Sequence, residues 1–169
     1  PMKDKLKSIY NHAGNLLELI NQLLDFRKLE MGGESLNLHQ ADIVEFVRYI
    51  GSGFKELATN RSIKFSIESE CPGMNIWFDD TKMQRILNNI YSNAFKFTPD
   101  GGLISTIVAT EKKDEKIFVR IEISDTGCGI SEKDLNVIFD RFYQSEPIPG
   151  VTGSGIGLHM VKEYVSLHN

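Results

Sequence analysis

Between Leu6 and Leu24 the apolar residues fall at Leu6, Ile9, Ala13, Leu16, Ile20 and Leu23, in steps of three and four, and Tyr10, Leu17 and Leu24 widen the stripe by one position. That period predicts an amphipathic helix. Its apolar face is too broad for a two-stranded seam and suits a four-helix bundle, in which each helix touches two neighbours. Gly32 and Gly33 predict a stop near residue 31 and a boundary within residues 32–36.

Beyond that boundary the pattern changes repeatedly. A short strand is expected around Leu36–Gln40, then a helix from about Asp42 to Ala58 with Asp42 as N-cap. Residues 61–69 set Ile63, Phe65 and Ile67 against Lys64, Ser66 and Glu68, the alternation of a half-buried strand, and Asn75–Phe78 forms a second extended piece. Asp79 or Asp80 caps the next helix, which runs through Phe97 until Pro99, Gly101 and Gly102 stop it. Leu103–Thr110 and Ile117–Ser124 read as strands of a hairpin joined by the charged turn 111–116. A glycine-rich turn, a short helix near Glu132–Phe139, a polar loop at 145–154 and a last helix from about Gly155 complete the chain. This order predicts an α+β fold with one mixed sheet and helices on one face, rather than a purely parallel α/β sheet.

Composition narrows the function classes. With 41% hydrophobic and 25% charged residues among 169, the chain is suited to one globular domain plus an attached segment. A net charge of -4 leaves no electrostatic footprint for nucleic acid. No apolar run approaches the ~20 residues needed to cross a bilayer, so no membrane contact is expected within this chain. Two distant cysteines, Cys71 and Cys128, fit a reducing compartment, and the cytoplasm is the expected location.

Three segments could carry chemistry. The first, Asn89 to Thr98, sets the amides of Asn89 and Asn93 on one helix face with Lys96 a turn beyond. An amide oxygen suits Mg²⁺, which takes its remaining ligands from water and substrate phosphates, and Lys96 could meet the phosphates directly. The bland alternative is a pair of solvated asparagines. The second, Asp125-Thr-Gly127-Cys-Gly129-Ile130, ends an apolar strand. Its glycines would let a ligand approach the backbone, and its carboxylate could accept a hydrogen bond from an exocyclic amine such as that of adenine. An isolated Asp-x-Gly is more often a capped turn, and Cys128 reads as a space-filling residue rather than a reactive thiol. The third, Gly153-Ser154-Gly155-Ile156-Gly157-Leu158, opens an apolar helix and so offers unpaired N–H groups to a phosphate. It matches neither the Rossmann nor the Walker pattern.

In this order the segments resemble the nucleotide-binding boxes of sensor histidine kinases, which share a fold with gyrase, the mismatch-repair ATPase MutL and a large ATP-dependent chaperone. The boxes are an asparagine box (Asn89 to Thr98), a first glycine box (Asp125 to Ile130), a phenylalanine box (Phe139-Asp-Arg141-Phe142-Tyr143) and a second glycine box (Gly153 to Leu158). The resemblance implies a two-layer α/β sandwich that binds ATP and Mg²⁺. Asn93 would hold the metal with Asn89 beside it, Lys96 would touch phosphate, and Phe97 would lie against the nucleotide. Asp125 would recognise adenine, with Gly127, Gly129 and Ile130 admitting the base. Gly153, Ser154, Gly155, Gly157 and Leu158 would form the phosphate side of a mobile lid beginning near Ser145, and Arg141 would assist at the terminal phosphate. Phe139 and Phe142 also suit the core of a helix–loop corner.

Residues 19–30 resemble the second helix of the dimerisation and phosphoacceptor hairpin of such kinases, in wording close to the hybrid sensors of Bacteroides-type bacteria. The implied organisation is therefore 1–34 as that helix and 35–169 as a catalytic domain lacking its last strands. The implied partners are a histidine-bearing helix, a response-regulator receiver domain and a second copy in the parent protein, which would be anchored in the inner membrane. His12 is followed by Ala13, and Leu17 stands where an acceptor histidine would have proline, so His12 does not fit as the acceptor. His39, His159 and His168 are assigned no chemistry. Asn89 stands where relatives that hydrolyse ATP carry a glutamate base, which favours transfer over hydrolysis. A non-catalytic nucleotide-binding module and an ATPase are the alternatives.

Overall fold

The computed structural model describes residues 35–144 and 154–168, together with 13, 14, 16, 17, 20, 23, 24 and 27. The described part of the amino-terminal segment is helical, and Leu16, Leu17, Ile20, Leu23 and Leu24 on it are exposed. The rest of the predicted bundle helix, including His12, lies outside the described residues, as does the loop 145–153 with Gly153.

The elements follow in the order β1 (His39–Asp42), α1 (Ile43–Ser52), α2 (Lys55–Asn60), β2 (Lys64–Ser69), β3 (Asn75–Phe78), α3 (Asp80–Phe97), β4 (Leu103–Lys113), β5 (Lys116–Asp125), α4 (Glu132–Leu135) and α5 (Gly157–Leu167). Strands β2, β4 and β5 form a mixed sheet in that order, with β2 parallel and β5 antiparallel to β4. The single sheet expected from the sequence needs correction, because β1 and β3 pair separately as a two-stranded antiparallel sheet.

An aspartate clasps each end of that small sheet. Asp42, at the end of β1, caps α1 through the Val44 and Glu45 N–H groups and also accepts the Met74 N–H just before β3. Asp79, just after β3, caps α3 through the Lys82 N–H and accepts the Asn37 N–H before β1. One carboxylate thus starts a helix and closes a strand pair at each end.

The long helix expected over 42–58 is two helices. Gly53 ends α1, its N–H and that of Phe54 turning back to the Ile50 and Gly51 carbonyls. Gly51 also lets the sheet come close, since a Cβ there would lie 2.2 Å from the Ile67 side chain. Strand β1 begins later than expected, β4 and β5 continue into the charged turn as far as a left-handed Asp114, and α4 stops at Leu135.

The core lies between the three-stranded sheet and its helices. Ile43, Val44, Val47 and Ile50 of α1 meet Leu87 and Tyr91 of α3, Phe78 and Val108, while Ala94 and Phe95 pack with Ala58, Ile63 and Ile104. On another side of α3, Ile86 packs with Met160, Val161 and Tyr164 of α5. Burying each large apolar side chain contributes about 1.5–3 kcal/mol, and α3 shares in all three clusters.

Candidate functional site

Helix α3 is the wall on which the candidate residues meet. It is capped at its start by Asp79, carries Asp80 in its first turn and Lys96 in its last, and so has charges complementary to its dipole at both ends. With Leu87, Tyr91, Ala94 and Phe95 turned to the core, Asn89, Asn93, Lys96 and Phe97 fall on the other side and are all half-buried.

Two glycines from distant parts of the chain abut this face. A Cβ on Gly157 would lie 2.5 Å from Asn89 Oδ1, so the start of α5 is seated on the first asparagine. Asn89 Nδ2 donates to the Arg85 carbonyl at 2.8 Å, which fixes the amide and leaves its oxygen on the Gly157 side. A Cβ on Gly127 would lie 2.9 Å from the Phe97 carbonyl oxygen, so the first glycine box is seated on the end of the same helix. The two contacts stand about 12 Å apart along the axis, at 1.5 Å per residue, and Asn93 lies midway between them.

The carboxylate of Asp125 ends β5 and accepts the Gly127 N–H at 2.7 Å. Asp125 is exposed, and its second oxygen has no hydrogen-bond partner among the described residues. Thr126 pins the turn behind it, exchanging hydrogen bonds with the Leu103 N–H and carbonyl. Gly129 has φ +71 with open space where a Cβ would stand, and Ile130 beside it is exposed. Cys128 is exposed too, whereas the sequence suggested a space-filling residue inside the turn.

The phenylalanine box and the second glycine box meet at the neck of the loop between them. Phe142 donates its N–H to the Gly155 carbonyl at 3.0 Å, and a Cβ on Gly155 would lie 2.6 Å from the Phe142 backbone. Gly155 has φ +69 and Phe142 itself φ 61, a strained value for a bulky residue. Neither Phe139 nor Phe142 is a core residue, because both are exposed. Arg141 between them is exposed as well. Ser154 Oγ accepts the Ile156 N–H at 3.3 Å, and Leu158 is half-buried.

Burial of the Lys96 ammonium lowers its pKa from the ordinary lysine value. Its Nζ lies 5.1 Å from the centre of the Phe97 ring, a cation–π distance that ties the two neighbours together. Among the described residues no group of three or more His, Cys, Asp or Glu is placed to hold a metal ion. The donors at the centre of α3 are amides, which suits a hard cation that draws its other ligands from phosphates and water. Gly127 and Gly157 leave no room for a side chain between their segments and α3, which brings both glycine boxes against the helix.

One pair escaped the sequence reading. Tyr143 donates its hydroxyl to Asp134 Oδ1 at 2.6 Å, tying the end of the phenylalanine box to α4. The Tyr143 and Ser131 hydroxyls together hold the buried Asp134 carboxyl below the ordinary carboxylate range. The Ser131-Glu-Lys-Asp134 spacing at a helix start was the available signal.

Residues 78–169 match the family profile described as histidine kinase-, DNA gyrase B-, and HSP90-like ATPase. Histidine kinase P4 of Formosa agariphila is 39% identical over 97% of this chain, which spans only 12% of that protein. The solved structure of full-length ShkA in complex with AMPPNP superposes with a TM-score of 0.74 at 27% identity, over 90% of this chain and 31% of that one. The histidine kinase ThkA, solved in complex with the response regulator TrrA, superposes with a TM-score of 0.64 at 22% identity, over 80% of this chain and 38% of that one, and so speaks to the fold.

Proposed function

Because the chain belongs to the family of histidine kinase-, DNA gyrase B- and HSP90-like ATPases, as an ATP-binding catalytic domain of the sensor histidine kinase type, we propose that it binds ATP with Mg²⁺ and passes the γ-phosphoryl group to a histidine presented on a separate helix. The observation that carries this reading is the seating of Gly127 and Gly157 on either side of Asn93 along one helix face.

Bound ATP supplies the phosphoryl group, and the chain's own residues bind and orient it. Asn93, with Asn89 beside it, offers amide oxygen to the metal. Lys96 neutralises phosphate charge, Phe97 lies against the nucleotide, and Arg141 serves the terminal phosphate. Asp125 accepts the adenine amine through the oxygen that Gly127 does not use, while Gly129 and Ile130 border the base. Ser154, Gly155, Gly157 and Leu158 turn N–H groups to the phosphates from the start of α5, Gly153 of the same box lies outside the described residues, and the Phe142–Gly155 bond anchors the neck of the lid. Asn89 cannot take a proton, so water is not activated and transfer is favoured over hydrolysis.

The proposed organisation is residues 1–34 as the second helix of a dimerisation hairpin and 35–169 as the catalytic domain. The exposed apolar residues from Leu16 to Leu24 support a bundle partner for that helix. The ThkA–TrrA complex supports a receiver domain as the next partner in the relay. Among the described residues no helix is long and apolar enough to cross a membrane, and a cytoplasmic placement is part of the same proposal.

The test is calorimetric titration of the chain with ATP, with and without Mg²⁺, followed by supply of a separate hairpin that carries its histidine. Mg-dependent binding and acid-labile phosphate on the hairpin are expected. Binding without transfer would leave a nucleotide-sensing module, and steady phosphate release would make the protein an ATPase.

A further inference from the structure

The carboxyl end of α3 is held by a residue to which the sequence assigned no role. A helix leaves its last carbonyls without partners inside the helix, and Arg61, at the bend between α2 and β2, takes two of the carbonyl groups at this end. Its Nη1 donates to the Phe95 carbonyl, its Nη2 to the Thr98 carbonyl at 2.8 Å, and its Nε to Asp100 Oδ1 at 2.7 Å. The Arg61 main-chain carbonyl accepts the Gly101 N–H at 3.0 Å. Side chain and backbone therefore grip the turn after α3 from a point more than thirty residues earlier in the chain.

Between the two carbonyls that Arg61 holds stand Lys96 and Phe97, and the Phe97 carbonyl is the atom on which Gly127 is seated. We propose that Arg61 is a positioning residue for the nucleotide site, acting through the last turn of α3 to hold Lys96 toward phosphate and Phe97 against the first glycine box. This rests on the ATP-binding reading above. The chemistry suits an arginine, whose planar fork reaches several acceptors in fixed directions, where a lysine ammonium is a single point charge on a flexible stem. A cation here also offsets the partial negative charge of the helix end, which would otherwise repel an anionic ligand.

The test uses the 169-residue chain and four variants: Arg61→Ala, Arg61→Lys, Lys96→Ala and Arg61→Ala with Lys96→Ala. ATP affinity is measured by calorimetry and folding by urea unfolding. Arg61→Ala is expected to weaken ATP binding roughly tenfold, as loss of hydrogen bonds from a charged group would. Lys96→Ala should cost a similar factor. The double variant should be little weaker than either single one, because a loosened turn no longer presents Lys96. Arg61→Lys should fall between the parent and Arg61→Ala. Unchanged affinity in Arg61→Ala, or losses that simply multiply in the double variant, would overturn the proposal even if stability falls. Should Arg61→Ala fail to fold, Arg61→Lys alone and combined with Lys96→Ala gives the same comparison. If the parent chain binds no ATP, the underlying reading fails, whereas parent binding that Lys96→Ala weakens and Arg61→Ala does not removes only the role of Arg61.

Discussion

On one side of α3, Leu87, Tyr91, Ala94 and Phe95 are buried among aromatic and aliphatic neighbours, with Tyr91 set 5.3 Å from Phe54 and 5.6 Å from Phe65 between ring centres. Two positions round the helix, Asn89, Asn93 and Lys96 are only half-buried, Asn89 against Gly157 and Lys96 over the Phe97 ring. The first face is filled by atoms of the same chain, and its work is stability. The second is lined by amide, ammonium and bare backbone, groups that gain little from each other and more from a charged ligand. A single helix thus divides folding from function at a spacing of two residues, and the two faces should respond differently to mutation.

The largest effect is expected on the filled face. Tyr91→Ala removes a fully buried ring and strands the Thr106 hydroxyl, which bonds the Tyr91 hydroxyl at 2.9 Å. Urea unfolding should show a loss of about 3–5 kcal/mol, the usual cost of truncating a buried aromatic. A loss below ~1 kcal/mol would mean that this face is not a core face at all.

Next comes the start of the helix, which belongs to neither face. Lys82 Nζ lies 3.0 Å from Asp79 Oδ2 with both side chains largely buried, so Asp79→Asn leaves a cation short of its partner and weakens the cap. About 2–3 kcal/mol should be lost, at the low end for a buried pair because Lys82 still reaches the Ser35 carbonyl. Burial raises the Asp79 pKa, but the Asn37 and Lys82 N–H groups and the Lys82 ammonium outweigh it and hold the carboxyl below its ordinary value. A carboxyl lowered in this way contributes stability that is present above its unfolded pKa, near ~3.9, and is lost as pH falls through the folded value. The difference in stability between parent and Asp79→Asn should therefore be full at pH 7 and shrink below about pH 4. A difference that stays constant down to pH 3 would show that the carboxylate charge is not what matters.

On the ligand face the balance inverts. Asn93→Ala should change unfolding free energy by no more than about 0.5 kcal/mol, as a half-exposed polar position away from the core does. The same variant should weaken Mg-ATP roughly tenfold while affecting metal-free nucleotide far less. Equal weakening with and without Mg²⁺ would take the metal role from Asn93. The smallest stability change is expected for Gly157→Ala. Its new methyl group displaces the tip of the Asn89 side chain at the cost of the bond to the Arg85 carbonyl, about 0.5–1.5 kcal/mol, which the helix preference of Ala over Gly, about 0.5–1 kcal/mol, largely offsets, so folding should hardly change while phosphoryl transfer to a supplied hairpin slows. Full transfer activity in this variant would show that the seat of Gly157 on Asn89 is not needed.

Much of this division was legible in the sequence. The four-residue steps through Leu87, Tyr91 and Phe95, offset from Asn89, Asn93 and Lys96, follow from helical period alone, and a cap at Asp79 or Asp80 and the strand at Asn75–Phe78 needed only local rules. The boxes were legible as words. Errors arose where a local rule met a tertiary contact. The helix expected to run to Ala58 breaks at Gly53, beside the point where Gly51 lets the sheet come close. Phe139 and Phe142 look like core residues by hydropathy yet are exposed, Phe142 in a left-handed conformation that its bond to Gly155 maintains.

Residue types and their periods decided what each segment of this chain would be, because side-chain shape, backbone propensity and the spacing of apolar positions act over a few residues. The meeting of Gly157 with Asn89, of Gly127 with Phe97, and of Arg61 with the Phe95 and Thr98 carbonyls was decided only by the tertiary structure. Those contacts join residues from 30 to 68 positions apart, and no local preference carries information over that distance. They exist because apolar burial packs α5 and the sheet against a single helix, and the polar groups left along its remaining side are brought together as a consequence.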